Sequence, residues 1–494
     1  MTNRKQEFMK QEGTVFPGKT YAEQLLAPIF RDQRDYLYKE MLAVQRVHVL
    51  MLYEQGIISR EDGKEMLRAL LEAEDADLTY DPRYEDVFFL LEARLEQTAG
   101  CLAGNMHIGK SRNDMGVTMY RLALRRRLAL LLEQVLVLQE SVLCAAEEHA
   151  GTIMPAYTHT QPAQPTTLGH YLLAVHDVLQ RDMQRLLASY DTVNLSPLGA
   201  AALATTGFPI NRHRTAELLG FAGLAENSYD AIAGADYILA GSAAVLTMMT
   251  NTGRVVQDLL LQATKEFGGI LVAAPYVQIS SIMPQKRNPV SLEHARALSS
   301  SACGEALVVF HMIHNTPFGD IVDTEDDLQP HLYRSIEQAL RALKLLDAVI
   351  RTMEVDVSHL AEKAQQHSIT ITELADVLAR EKGIPFRQAH QLAARVAKSC
   401  LAEGKELSDL SAAEASTVLA EVELTDAEWA GIVSPAEFIR RRSVTGGPNL
   451  EEVKRMMAER KSRLQQSQQE VQSRQAAVEA AERLQQQLIQ RLLS

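Results

Sequence analysis

Paired cysteines are missing from this sequence. Its four cysteines, Cys101, Cys144, Cys303 and Cys400, stand far apart in 494 residues with no CxxC or Cys/His ligand spacing. That argues against disulfides and structural zinc and predicts four buried thiols. Basic charge is also short: 50 Lys and Arg face 63 Asp and Glu, a formal net charge of −13. Nucleic acid is not expected as a partner, although a local basic pocket for a small anion is compatible with an acidic surface. The arginine runs Arg125 to Arg127 and Arg440 to Arg442 are expected as solvated helix faces. No run of 18 apolar residues is present, and MTNRKQEFMKQEG at the N-terminus has no hydrophobic stretch. No membrane partner and no secretory signal are expected, and the cytoplasm is the expected location. The G-x-S-x-G of a nucleophile elbow after a strand and the glycine pattern of a P-loop are absent as well.

What the sequence has in abundance is helical periodicity. In residues 117–148 apolar side chains recur at three- and four-residue spacing over far more than an average helix, and residues 168–191 and 235–265 repeat the pattern. Strand signals are short and rare, so the expected class is mainly all-α, a bundle of long helices with helical end domains. Composition shifts divide the chain into an N-terminal helical domain (1–105), a central bundle (106–360), a C-terminal helical domain (361–448) and a helical tail (449–494). In the third, Ser434, Pro435 and Glu437 spell an N-cap, an N1 proline and a capping carboxylate. The tail carries Leu450, Met457, Leu464, Val471 and Val478 in strict sevens with polar residues between. That pattern predicts a weak coiled-coil strand or a helix laid along a partner.

Three polar clusters interrupt the helices: HIGKSRND at 107–114, MPAYTHTQPAQPTTLGH at 154–170 and SSIMPQKRNP at 280–289. Ser111, Arg112 and Asn113 place a hydroxyl, a guanidinium and an amide ahead of a long helix, a grip for a carboxylate or, more plainly, a cap followed by a surface charge. Thr158 and His159 sit in a polar turn between prolines, where a structural role competes with a catalytic one. In the third cluster, paired serines beside Lys286 and Asn288 concentrate donors suited to a developing anion. A serine acting there as a base needs backbone donors, a nearby cation and exclusion of water to stabilise its alkoxide.

The third cluster resembles the S-S-x-M-P-x-K-x-N-P signature of the fumarase/aspartase superfamily, with the other two clusters in the order of that family's conserved regions. Within it the similarity is to argininosuccinate lyases, through EDV at 85–87, EARL at 92–95, SRND, MPAYTH, QPAQP, and SLE after the signature. The resemblance spans residues 15 to 450. It implies a homotetramer built on a twenty-helix core, with each active site shared by three subunits and no metal or organic cofactor. By position, Ser280 corresponds to the catalytic base, which takes a proton from the carbon beside a carboxylate so that elimination passes through an aci-carboxylate to fumarate. Lys286 and Asn288 correspond to groups holding the carboxylate whose charge grows. Ser111, Arg112, Asn113, Thr158, Ser281 and Met283 correspond to the succinyl-binding set. His159 pairs with Glu293 in that scheme, either protonating the departing amine or orienting the substrate.

Departures from the family pattern gather on one side of the expected site. Phe88 stands where argininosuccinate lyases have histidine after EDV, and Ala235 where they have the arginine of a D-R-D triplet. Around the family's D-L-Q-E-D-K segment, Thr324 and Leu332 replace tyrosine and lysine while Gln329 remains. An apolar group cannot replace the partner of a charged substrate group. The pattern therefore predicts retained chemistry with a less charged amine pocket formed by Phe88, Ala235, Thr324 and Leu332. It resembles the ethylenediamine-N,N'-disuccinate lyase branch, which acts on aminopolycarboxylates, with argininosuccinate cleavage as the alternative and a crystallin-like structural protein as a third reading.

Overall fold

The computed structural model describes residues 2–420 and 422–494. Helices α1 (Tyr38–Glu54), α2 (Arg60–Glu72) and α3 (Val87–Ala99) pack around an N-terminal core that includes Met41, Leu50, Met66, Leu70 and Leu91. Five long helices follow and pack on one another. These are α4 (Arg112–Glu148) and, after the hairpin β1 (Ile153–Thr158) and β2 (Gln161–Thr167), α5 (Leu168–Val193) and α6 (Asp236–Gln262). Beyond the short pair β3 (Gln278–Ile279) and β4 (Arg287–Asn288) come α7 (Val290–Ile313) and α8 (Gln329–Thr352). The three long helices expected from periodicity are α4, α5 and α6, with ends moved by up to five residues. A third core lies under α9 (Ile371–Arg380) and α10 (Phe386–Glu403), where Leu374, Leu378, Leu392 and Trp429 are buried.

Local signals explain where the elements begin. Ser111 opens α4 in a capping box with Asp114, and Ser434 accepts the Glu437 N–H at 3.3 Å with Pro435 in the first turn, as the pattern predicts. The Asp114 carboxylate is fully buried and accepts N–H groups of Ser111 (2.8 Å), Gly199 (2.8 Å) and Ala201 (3.0 Å). It thereby ties a distant loop to the start of α4. Although α4 is apolar and long enough to cross a bilayer by composition, its Leu124, Leu128, Leu131, Leu132 and Leu138 are buried against the neighbouring helices.

Three expectations need correction. The tail is one helix, α11 (Leu450–Leu493), and it lies on its own chain. It runs parallel to α5, with Arg460 on Asp177 and Arg474 on Asp191, and antiparallel to α4, with Lys461 on Glu147 and Gln475 on Glu133. The polar residues between its sevens therefore find partners on α5, Ser467 accepting from Gln180 at 3.1 Å, while Val453, Met457, Leu464 and Val471 complete the bundle core. Burial of each such apolar side chain contributes about 1.5–3 kcal/mol. Among the arginine runs, Arg125 and Arg127 are buried: Arg125 donates to the carbonyls of Leu219 and Gly220 at 2.8 Å, and Arg127 lies 4.1 Å over the Tyr333 ring. Arg441 and Arg442 close on the buried carboxylate of Glu373. Carbonyls, an aromatic face and a carboxylate offset the desolvation that solvated faces would have avoided. Of the cysteines only Cys400 is buried, and Cys101 and Cys144 are exposed, because their helical positions face outward.

Candidate active site

The first cluster lines a cavity of about 300 Å³ between the N-terminal helices and the start of α4. Ser111 is the N-cap of α4, its hydroxyl accepting the Asn113 N–H at 3.3 Å. Arg112 and Asn113 both line the cavity. The Arg112 guanidinium pairs with Asp86, the N-cap of α3, and lies 5.2 Å over the Phe88 ring and 4.8 Å over Phe89. Phe88 is thus both cavity wall and a cation-π support for the guanidinium.

Facing them are residues that the sequence reading passed over. The Asn113 amide donates to Asp320, which also shares a hydrogen bond with Glu325. Asp326 accepts from Gln33 at 3.0 Å and from the Tyr120 hydroxyl at 3.3 Å. Burial raises the carboxyl pKa of all three, and Glu325, with Asp320 and Asp326 as neighbours, is pushed up to about 7. Of the residues matched from sequence to the amine pocket, Phe88 lines this cavity, while Ala235, Thr324 and Leu332 do not. Leu332 is fully buried in the bundle core, Gln329 is buried with its amide on Tyr237 and the Thr324 carbonyl, and the Thr324 hydroxyl donates to the Ile321 carbonyl. Ala235 is the half-buried residue ahead of α6 and does not line the cavity. The wall facing Arg112 and Asn113 therefore carries three carboxyl groups outside the sequence motifs. The acidic run DTEDD at 323–327 was the available signal.

The second cluster is the tip of the β1–β2 hairpin. Thr158 pairs with Gln161 across a two-residue turn, and His159 and Thr160 both adopt left-handed backbone conformations, φ 51° and 63°. Such turns favour Asn-Gly, and a histidine followed by a β-branched threonine costs roughly 1–2 kcal/mol per residue relative to glycine-like freedom. A strained, exposed imidazole at a hairpin tip suits a residue held out toward a substrate.

The third cluster is a loop clasped by β3 and β4, with Gln278 opposite Asn288 and Ile279 opposite Arg287. The Ser280 hydroxyl oxygen accepts the N–H groups of Met283 (3.1 Å) and Ile282 (3.4 Å). These are backbone donors of the kind a serine alkoxide needs. Lys286 is exposed and Asn288 half-buried at the end of the loop, Ser281 and Met283 are exposed, and Glu293 is exposed in the first turn of α7.

One chain does not unite these groups. Asn113 meets Asp320 just beyond the C-terminal end of α7, whereas Ser280 precedes its N-terminal end. The 24 residues of α7 span roughly 36 Å at 1.5 Å per residue. None of Thr158, His159, Ser280, Lys286 or Asn288 lines the cavity of Arg112 and Asn113, and His159 and Glu293 do not pair within the chain.

Residues 65–304 match the Lyase family, and residues 368–440 match the argininosuccinate lyase C-terminal family. The chain is 39% identical to argininosuccinate lyase 2 of Agrobacterium fabrum over 92% of each chain. It is 38% identical to the argininosuccinate lyase of Methanosarcina mazei over 88% of this chain and 89% of that one. The chain belongs to the argininosuccinate lyase branch of the fumarase/aspartase superfamily. The solved structure of EDDS lyase in complex with formate aligns with a TM-score of 0.87 at 29% identity, covering 94% of this chain and 96% of that chain. Class II fumarase from Schistosoma mansoni, 18% identical with a TM-score of 0.69 over 86% of this chain and 96% of that one, shares the fold. This lyase is a carbon–nitrogen lyase that forms fumarate.

The acidic side of the cavity makes its own stability prediction for this lyase. Glu325 holds its proton in the folded chain to a higher pH than an unfolded glutamate does, so its contribution to stability is present in acid and is lost as pH rises through about 7. Melting temperature is expected to fall between about pH 5 and pH 8 more steeply in the wild type than in Glu325→Gln. Thermal unfolding at matched ionic strength checks this, and identical pH dependence would contradict it.

Proposed function

We propose that this lyase eliminates an amine from ethylenediamine-N,N'-disuccinate and related aminopolycarboxylates, in a homotetramer whose subunits share each active site among three chains. The observation that carries the chemistry is the Ser280 hydroxyl oxygen accepting two backbone N–H groups, from Ile282 and Met283. As an alkoxide, Ser280 takes the proton from the carbon beside one succinyl carboxylate. The C–H electron pair moves into that carboxylate to give an aci-carboxylate, whose added charge Lys286 and Asn288 hold. The pair then returns to form the carbon–carbon double bond, the C–N bond breaks, and nitrogen leaves with its electrons and accepts a proton. Arg112, Asn113, Thr158, Ser281 and Met283 bind the succinyl half, while His159, paired with Glu293, protonates the amine or orients the substrate.

The EDDS lyase alignment over nearly the whole chain supports the choice of amine. Argininosuccinate is the second reading, favoured by the names of the 38–39% identical relatives. Exposed apolar side chains support assembly: Ile279 (71%) and Ile282 (83%) flank Ser280, and Leu130 and Val137 stand seven residues apart on α4. A partner covering them would exclude water from the base. Four unpaired cysteines fit action in the reducing cytoplasm. Incubation with ethylenediamine-N,N'-disuccinate should release fumarate, read by its ultraviolet absorbance, and the absence of release would overturn the proposal.

A further inference from the structure

A second cavity, of about 500 Å³, opens where the C-terminal half of α11 lies against the start of α1 and the middle of α4. Its volume is that of a small-molecule site, and no residue of the three polar clusters lines it. The lining carries four cations, Lys39 and Arg46 from α1 with Arg125 and Arg126 from α4. Four carboxylates answer them, Glu40 of α1, one on α4 and two on α11. The wall is therefore strongly charged and yet balanced, so a net anion or a net cation meets as much repulsion as attraction.

These charges are not all spent on one another. Glu40 is 6% exposed, and one of its oxygens accepts from Arg126 Nε at 3.0 Å, while the other, Oε2, is buried without a hydrogen-bond partner. The Nε of Arg46, whose guanidinium pairs with Glu74, is likewise a buried donor without an acceptor. Lys39 and Glu482 make no side-chain hydrogen bond or ion pair among the described residues. Buried donors and acceptors are nearly always satisfied. A water can satisfy such atoms, but a ligand bearing both charges matches them together with Lys39, Glu482 and the neutral balance of the lining.

We propose that this cavity binds a free α-amino acid with an uncharged side chain. Its ammonium pairs with Glu40 and Glu482, its carboxylate with Lys39, Arg46 and Arg126, and its apolar part lies against Leu122, Ala129 and Leu218. Because Glu482 belongs to α11, occupancy joins the tail helix to α1 and α4.

The test uses the full-length wild-type protein without fumarate and three probes: L-norvaline, pentanoate, which is norvaline without its ammonium, and butylamine, which is norvaline without its carboxylate. Calorimetry is expected to show norvaline binding about tenfold or more tighter than either fragment, since each fragment leaves one set of charges unpaired. Hydrogen exchange over residues 475–486 is expected to slow with norvaline. Glu40→Gln and Glu482→Gln are each expected to weaken norvaline binding about tenfold or more, while the rate of fumarate release stays at the wild-type value. Glu482 is exposed on α11, so its replacement leaves the fold intact even where that of the buried Glu40 does not. No binding of norvaline, or equal binding of all three probes, would overturn the proposal. Norvaline binding undiminished in Glu482→Gln, or binding that leaves exchange of α11 unchanged, would also overturn it by placing the amino acid elsewhere on the enzyme.

Discussion

Ser280→Ala is expected to lose elimination by about 10²-fold or more, the scale of a missing general base, while its fold and oligomeric size stay those of the wild type. The serine hydroxyl lies in a loop outside the hydrophobic cores, and its removal leaves only the N–H groups of Ile282 and Met283 without that acceptor. Little stability is therefore at stake, and the change falls on kcat. Steady-state fumarate release together with light scattering reads both quantities. A folded Ser280→Ala protein retaining more than about a tenth of wild-type turnover would remove Ser280 from the role of base.

A second large effect comes from mixing defective chains. Asn113→Ala lacks the amide that faces the cavity and Ser280→Ala lacks the base, and α7 keeps these two positions apart within one chain. Each homogeneous protein is expected to be nearly inactive. Denaturing the two together in equal amounts and refolding them should yield tetramers in which some sites draw an intact Asn113 from one subunit and an intact Ser280 from another. Random assortment gives about a quarter of wild-type activity. Mass spectrometry verifies that mixed tetramers formed. No recovery in verified mixtures would mean that each site is built within one chain.

How much of this was legible beforehand follows from the range of each interaction. The long helices could be read because their cores impose a local three- and four-residue period, and the start of α4 because Ser111 and Asp114 lie three apart. The three polar clusters were legible as motifs for the same reason. What failed were pairings across the chain. Arg125 and Arg127 look like solvent-facing charge until the carbonyls of Leu219 and Gly220 and the ring of Tyr333 arrive from elsewhere. The polar positions of α11 look like a weak coiled coil until Asp177, Gln180 and Asp191 of α5 meet them. Similarity matched Gln329 and Leu332 to family positions, and the sequence carries no local sign of which way they face. In the fold both belong to the first turn of α8 and face the core, leaving the cavity to the carboxylates just before them.

The choice of amine is the central claim, and one ratio tests it most directly: kcat/KM for ethylenediamine-N,N'-disuccinate over kcat/KM for argininosuccinate, each from initial rates of fumarate release by the wild-type protein at the same pH and ionic strength. A ratio above one is expected, because Phe88 stands where argininosuccinate lyases have the histidine after EDV. A higher specificity constant for argininosuccinate would contradict it and assign this lyase the substrate named by its relatives.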